Sequence, residues 1–378
     1  MVGQQIKQNI PLFKVFMSPE ALSAATDVLG CGYITQGPKV GEFEKNLSNT
    51  IQNDKVLTLN SATSGLHLAL HLLGLNSGDE VLTSPLTCTA TNWPILANGL
   101  KIKWVDIDSH NLNLNLDDLE NKLTPKTKAI MAVHWGGYPN DLNRLAKIQD
   151  KCKEMYGFKP SIIEDCAHAF GSTFENKPLG NHGNLCVYSL QAIKHITSVD
   201  GGVIVLPNKE LYDRAKLSRW YGIDRENNKK DFRCEEDIPA WGFKFHMNDV
   251  NAAIGNENLK YSEYIISKHQ DNADYYDKEL ENVHGVTLLE RAPNRRSAFW
   301  IYSMLVDDRT GFMNHMKEKN IVVSQVHERN DIHSCVKGFQ DHLPILDKTI
   351  KNVVSIPVGW WVSNEDREYI IEAIKEGW

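Results

Sequence analysis

The chain has 378 residues, of which 42% are hydrophobic and 24% are charged, and its formal net charge is −7. This balance excludes a disordered protein or a disulfide-stapled mini-domain, and the acidic excess argues against a dedicated nucleic-acid-binding protein, which usually has a basic surface. A chain of this length favours one large domain and a smaller one, with enough residues for a sizeable core.

Short apolar runs rich in Val and Ile alternate with amphipathic stretches through the first half of the chain. The runs predict seven strands, at 55–59, 80–84, 101–105, 129–134, 161–164, 186–189 and 202–206. The amphipathic stretches predict helices near 63–74, 114–123, 140–155 and 208–221. Strand–helix alternation of this kind predicts an α/β fold with a mainly parallel seven-stranded sheet, covered on both faces, in a large domain over residues 1–250.

The composition changes after about residue 250, where a smaller α+β domain over residues 251–378 is predicted. The domain opens with one long helical stretch that is rich in Asn, Glu, Lys and Tyr. The predicted elements are helices at 248–282, 310–319 and 364–377 and strands at 286–289 and 297–306.

The segment 161–202 carries the clearest chemical signal. A predicted strand ends at Asp165, and ligands of parallel sheets bind beyond the carboxyl ends of the strands. A later strand delivers Ser189 and then Lys194, and a buried lysine that loses its proton is a nucleophile toward a carbonyl. Taken singly, Asp165 is better interpreted as a helix cap and Lys194 as a solvated residue. Together they favour an aldehyde cofactor that is held by the lysine, with the acid at its ring nitrogen.

A strand-to-helix turn at 57–70 forms a second candidate element. Small residues from Asn60 to Gly65 open the predicted helix, and backbone N–H groups at a helix N-terminus attract anions. A cofactor phosphate would fit at this turn. The alternative is an ordinary turn with a Ser or Thr cap.

Four short blocks stand out when they are taken together: LNSATSGLHLAL, EDCAHAFG, YSLQAIKHITSVDGG and WGFKFHMNDVNAAIG. In this order and spacing they resemble the DegT/DnrJ/EryC1/StrS family of sugar aminotransferases, which depend on pyridoxal phosphate (PLP). The resemblance extends from residues 32–38 to the C-terminal helix. It implies the PLP-dependent transferase fold of type I.

The resemblance also implies a role for each matching site residue. Lys194 is expected to bond covalently to PLP and to move a proton between the substrate carbon and cofactor C4′. Asp165 is expected to pair with the pyridinium nitrogen and keep the ring protonated, which makes the ring an electron sink. The remaining expected cofactor contacts are the phosphate ligands Ala62, Thr63 and Ser189, and His168 on the O3′ side.

Two positions depart from the pattern of the family. Cys88 stands where many relatives have an aromatic residue over the outer ring face, so Cys88, Trp93 or Trp135 is expected to cover the ring. Lys244 stands where the family often has an Asn that reaches the cofactor phosphate of the neighbouring subunit. A lysine binds phosphate as a point charge, although a surface loop position is the alternative. The resemblance thus implies a homodimer with shared active sites.

The activity implied by the resemblance is transfer of an amino group onto a keto-sugar, in the biosynthesis of amino sugars for polysaccharides or glycans. L-glutamate is the expected donor, a nucleotide-linked sugar is the favoured acceptor, and pyridoxamine phosphate is the intermediate form of the cofactor. Alternatives are transamination of a small phosphorylated ketone, a PLP-dependent sugar dehydratase, and a regulatory binding protein on the same fold. Lys194 argues against the dehydratase, because it keeps a transamination base in place.

The cysteine and hydropathy patterns indicate the cellular compartment, and the histidine spacing bears on metal binding. The seven cysteines are odd in number and lack CxxC spacing, which favours reduced thiols. The N-terminus lacks the pattern of a signal peptide, and no apolar run approaches the roughly 20 residues that span a bilayer. These features predict a cytoplasmic protein without a membrane partner. No metal site is expected, because the histidines are widely spaced.

Overall fold

The computed structural model describes residues 9–225 and 237–378. Its helices are α1 (Ala21–Cys31), α2 (Pro38–Ile51), α3 (Ala62–Leu72), α4 (Thr89–Ala97), α5 (Leu116–Asn121), α6 (Leu142–Tyr156), α7 (Lys209–Ser218), α8 (Asp249–Leu259), α9 (Ser262–Leu280), α10 (Arg309–Glu318), α11 (Pro344–Thr349) and α12 (Asn364–Lys375). Its strands are β1 (Val56–Leu59), β2 (Glu80–Thr83), β3 (Lys101–Trp104), β4 (Thr127–Val133), β5 (Ser161–Asp165), β6 (Thr173–Phe174), β7 (Lys177–Pro178), β8 (Leu185–Ser189), β9 (Gly202–Val205), β10 (Val286–Leu288), β11 (Arg295–Arg296), β12 (Tyr302–Val306) and β13 (Val353–Ile356).

A seven-stranded sheet in the order β1-β9-β8-β5-β4-β2-β3 forms the centre of the fold. Strands β3, β2, β4, β5 and β8 run parallel to one another, and β9 is antiparallel to both β8 and β1. The structure therefore confirms the predicted mainly parallel sheet, and each of the seven predicted strands belongs to it. Every residue of β1, β8 and β9 is buried, which explains why these strands appear as continuous apolar runs.

Two apolar cores lie on opposite faces of the sheet, because successive strand residues point to opposite sides. In β5, Ile162 packs into the core that contains α2 and α6, whereas Ile163 packs into the core that contains α3 and α4. The same alternation sends Asp165 to the side of Ile163, toward α3 and α4. The period of one strand thus decides on which face the predicted carboxylate lies.

A smaller three-stranded antiparallel sheet, β10-β12-β13, follows in the second part of the chain. Its inner face packs against α9, α10 and α12 in a third apolar core that includes Tyr276, Phe312 and Ile370. The division of the chain at residue 250 stays a prediction.

Two predicted elements of this second part are wrong in extent. The predicted helix 248–282 is two helices, because the backbone at Tyr261 leaves helical geometry between α8 and α9, with φ −99° and ψ 5°. The predicted strand 297–306 forms a strand only over β12. Phe299 has φ +50°, outside the region that a strand allows, so residues 297–300 form an irregular segment.

Residues 9–225 and 237–378 include six of the seven cysteines. Within these ranges the cysteines are unpaired: Cys31, Cys88, Cys152, Cys166, Cys186 and Cys335. Cys234 lies outside the described residues. No helix in the described part of the chain combines the length and apolar character that a bilayer crossing requires.

Candidate active site

A cavity of about 430 Å³ opens at the carboxyl ends of β5 and β8, beside the first turns of α3 and α4. It brings together most of the predicted site residues, namely Ala62, Thr63, Cys88, Asp165, His168, Ser189 and Lys194. Lys244 is exposed and does not line this cavity. A cavity at the carboxyl end of a parallel sheet is the expected place for a ligand in this class of fold.

Asp165 ends β5 and is only 3% exposed. Its Oδ1 accepts a hydrogen bond of 3.0 Å from the backbone N–H of Ala167, and its Oδ2 accepts one of 2.7 Å from the hydroxyl of Thr91. Burial raises the pKa of Asp165, and the hydrogen bond from Thr91 opposes that rise. The two hydrogen bonds therefore hold the Asp165 carboxylate in a fixed position. Its negative charge attracts a buried cation most strongly, because the dielectric constant is low there.

Lys194 lies on the turn that follows β8, where its backbone N–H donates to the carbonyl oxygen of Gln191. Its Nζ lies 3.4 Å from the centre of the Trp300 ring. Burial lowers the pKa of Lys194 to about 7, against the opposing charge of Asp165. A large fraction of the amine is thus neutral near pH 7, as a nucleophile or a general base requires.

The start of α3 forms the anion-binding end of the cavity. Ser61 caps the helix by accepting a hydrogen bond of 3.1 Å from the N–H of Ser64. A Cβ at Gly202 would lie 2.4 Å from the carbonyl group of Ser61, so only glycine lets β9 approach this turn so closely. The first N–H groups of a helix have no acceptor within the helix, and Ala62 and Thr63 supply two of them beside Ser189.

His168 supplies a direct test of whether a cofactor fits. The residue is 3% exposed, and its buried Nδ1 has no hydrogen-bond partner among the described residues. Burial, together with the charge of Lys194, holds the pKa of His168 well below its usual range, so the ring is neutral. Leaving a buried polar atom unpaired is costly, which points to a partner on a ligand.

The whole arrangement matches the functional groups of PLP. The helix N-terminus suits the phosphate, Asp165 suits a protonated ring nitrogen, Lys194 suits the aldehyde, and the free nitrogen of His168 suits the ring oxygen. The residues present therefore fit this cofactor. The individual roles assigned from sequence stay predictions.

The aromatic neighbours of the cavity differ from those expected. Cys88 lines the cavity, but Trp93 packs against His333 and Trp135 donates a hydrogen bond of 3.1 Å to Ser303, and neither lines it. The lining residues that sequence reasoning did not single out include Thr91, Trp300 and His327. Thr91 lies one helical turn beyond Thr87 and was open to inference from the start of α4, whereas no local pattern marks Trp300 or His327.

Residues 297–300, which we call the strap, carry Trp300 to the cavity. The His195 ring, next to Lys194, bonds the carbonyl oxygen of Ala298 at 2.9 Å, and His269 bonds that of Phe299 at 2.8 Å. The indole N–H of Trp300 donates to the carbonyl oxygen of Ile193 at 2.9 Å. These contacts hold the left-handed backbone of the strap against the Lys194 turn, which gives His195 a structural position.

A buried polar cluster lies on the opposite face of the sheet from Asp165. His134 and Glu164 are joined at 2.9 Å, and Asn184 donates to the other oxygen of Glu164 at 2.7 Å. The N–H of Asn140 donates to Nδ1 of His134, so the ring proton lies on Nε2 and points at Glu164. Cys166 completes a group of potential metal ligands within 4.8 Å. Because His134 and Glu164 already form a hydrogen bond with each other, we interpret the cluster as a structural link between β4 and β5.

Comparisons with known proteins show which chains this one resembles. The sequence model of the DegT/DnrJ/EryC1/StrS aminotransferase family matches residues 16–375. The chain is similar to AtS13 from Actinomadura melliaura, with 49% identity, coverage of 98% of this chain and 100% of that chain, and a TM-score of 0.96. It is similar to the sugar aminotransferase CalS13 from Micromonospora echinospora, with 47% identity, coverage of 98% and 100%, and a TM-score of 0.95. Spr1654 from Streptococcus pneumoniae in its PMP form is 26% identical, with coverage of 97% and 98% and a TM-score of 0.91.

Proposed function

The chain belongs to the DegT/DnrJ/EryC1/StrS aminotransferase family, and we propose that it moves an amino group from L-glutamate onto a nucleotide-linked keto-sugar. It is a PLP-dependent sugar aminotransferase with an α/β fold of type I. The observation that carries the proposal is the meeting of Asp165, Lys194 and the unpaired His168 nitrogen in one cavity. The glutamate donor and the nucleotide linkage are supported by the family resemblance.

The chemistry divides between the cofactor and the side chains. When bound, PLP supplies an electron sink for the charge that develops at the amine carbon when it loses a proton. Asp165 holds the ring nitrogen in its protonated form through a fixed negative charge. Lys194, whose pKa burial lowers to about 7, would take the proton from the substrate carbon and deliver it to C4′ of the cofactor, and it would reverse this transfer in the second half of the reaction. The unpaired Nδ1 of the neutral His168 ring would hold the ring oxygen of the cofactor through a hydrogen bond.

The acceptor is tested with a panel of keto compounds. Purified enzyme is mixed with L-glutamate and either nucleotide-linked keto-sugars or small keto-phosphates, and 2-oxoglutarate is measured. We expect turnover with at least one nucleotide-linked sugar, preceded by bleaching of the visible cofactor band when glutamate alone is added. Turnover with keto-phosphates only would overturn the proposed acceptor, and an unbleached band would overturn the proposed donor. Release of a dehydrated sugar without an amino group would identify a lyase instead.

The proposed active unit is a homodimer in which each subunit completes the cofactor site of the other. Lys244 is exposed and lies outside the cavity of its own chain, while the neighbouring Trp241 is 66% exposed. Aromatic side chains are enriched where protein surfaces meet a partner, so the exposed Trp241 supports an interface at this segment. We place the enzyme in the cytoplasm, since its described cysteines are unpaired.

A further inference from the structure

Two threonine hydroxyls form a chain that ends on the carboxylate of Asp165. The hydroxyl of Thr91 lies 2.7 Å from Oδ2 of Asp165, and the hydroxyl of Thr87 lies 2.8 Å from that of Thr91. The single hydroxyl proton of Thr91 points at the ionised carboxylate, so Thr87 must donate to Thr91. All three residues are at most 3% exposed.

Hydrogen bonds from neighbouring segments hold the first turn of α4, and they thereby fix the positions of the Thr87 and Thr91 hydroxyls. Asn92 accepts from the hydroxyl of Thr83 at 2.8 Å and donates to the carbonyl oxygen of Ser84 at 3.0 Å. Asn330, from the second part of the protein, donates to the carbonyl oxygen of Thr87 at 3.0 Å. The hydroxyls therefore keep one direction relative to Asp165.

We propose that Thr91, aligned by Thr87, is a positioning residue that keeps the shared proton on the cofactor ring nitrogen rather than on Asp165. A buried carboxylate favours its neutral, protonated form, and each hydrogen bond that it accepts makes the charged form more favourable. Without Thr91, the side chain of Asp165 would retain, among the described residues, only the hydrogen bond of 3.0 Å from the N–H of Ala167. Removal of the hydroxyl should then allow the carboxylate to take the proton from the ring and to rotate. The inference rests on the placement of the PLP ring against Asp165.

The test compares four variants by cofactor spectroscopy and cofactor binding, in the absence of any sugar. Thr91→Val removes the hydroxyl at constant shape, Thr91→Ser keeps it, and Thr87→Val removes its donor. Thr89→Val is the matched control, because Thr89 is a half-buried residue of the same turn that does not line the cavity. The visible absorbance of the PLP-loaded protein is titrated with pH, and the dissociation constant of PLP is measured by equilibrium dialysis.

In Thr91→Val the midpoint of the absorbance titration should rise by about one pH unit, and PLP should bind about tenfold more weakly. The midpoint rises because loss of positive charge from the ring makes the cofactor-bound nitrogen of Lys194 easier to protonate. Thr87→Val should show a smaller shift in the same direction. Thr91→Ser and Thr89→Val should match the wild-type protein.

A Thr91→Val protein with the midpoint and PLP affinity of the Thr89→Val control overturns the proposal. If Thr91→Val does not fold, Thr87→Val and Thr91→Ser decide the question. A raised titration midpoint in Thr87→Val, with an unchanged midpoint in Thr91→Ser, supports the proposal. Any other pattern overturns it. No donor or acceptor substrate enters the titration. A failure of the proposed glutamate or sugar specificity would leave its result unchanged, so the two proposals fail separately.

Discussion

Lys194 is a basic residue whose surroundings oppose its positive charge. Burial lowers its pKa from the ordinary 10.5 to about 7, so the folded chain releases a proton from this side chain over a range in which the unfolded chain keeps it. The stability that depends on this group therefore rises as pH increases from about 7 toward 10, and the cost of burying the charge is full below that range. The nearby Asp165 offsets only part of this cost.

Cofactor-free Lys194→Met protein should accordingly be more stable than cofactor-free wild type at pH 7, and its advantage should shrink as pH rises toward 10. Methionine keeps the length of the side chain but carries no charge to desolvate. Melting temperatures measured by calorimetry from pH 7 to 10 test this sign. An advantage that stays constant or grows with pH would show that Lys194 titrates as an ordinary lysine.

Among the elements, those that sequence predicts well are the ones whose patterns arise locally. The buried strands appear as apolar runs, and the position of Asp165 at the end of β5 follows from five consecutive residues. The strap escapes prediction for the opposite reason. Its left-handed turn at Phe299 is held by His195 and His269, which are distant in sequence, so nothing in the segment itself marks Trp300 as a cavity residue. The polar residues at the strand ends can be predicted from the sequence, whereas the residues of the second part that reach the same cavity cannot.

The strap gives a prediction at this scale. His269→Ala should weaken PLP binding several-fold although His269 does not line the cavity, because the Phe299 carbonyl oxygen loses its donor and Trp300 is held less firmly. The matched control is His315→Ala, since His315 bonds the carbonyl oxygen of Ala373 at 2.7 Å away from the cavity. Both variants should lose thermal stability. Equal PLP affinity in the two, measured by dialysis, would limit the strap to a stabilising role.

For the whole molecule, the decisive question is whether two chains share their sites. A phosphate group at the start of α3 leaves negative charge that a partner lysine could offset, and a two-fold interface would bring each Lys244 to the cavity of the other chain. Sequence resemblance suggested this arrangement, and the exposed position of Lys244 agrees with it. The contact between Lys244 and the phosphate requires two chains, because Lys244 lies outside the cavity of its own chain.

Mixing two inactive variants tests the shared site. Lys194→Ala chains and Lys244→Glu chains should each lose most activity, and subunit exchange between them should restore part of it. In the mixed dimer one site carries both defects and the other carries neither. Exchange is followed with a size tag on one variant. In the control mixture Lys209→Ala, which changes an exposed lysine, replaces Lys244→Glu. Verified exchange without returning activity, or an active monomer in sedimentation, would refute the arrangement.

Because the strap stands late in the sequence, the cavity wall is completed late during synthesis of the protein. Lys194 leaves the ribosome well before Trp300 and His327, yet all three line the same cavity. At ordinary synthesis rates of about 5–20 residues per second, the cavity wall is incomplete for roughly ten seconds after Lys194 emerges. The cavity is therefore complete only after the second part of the chain has been translated and folded, and a chain that ends before Trp300 lacks part of the cavity wall.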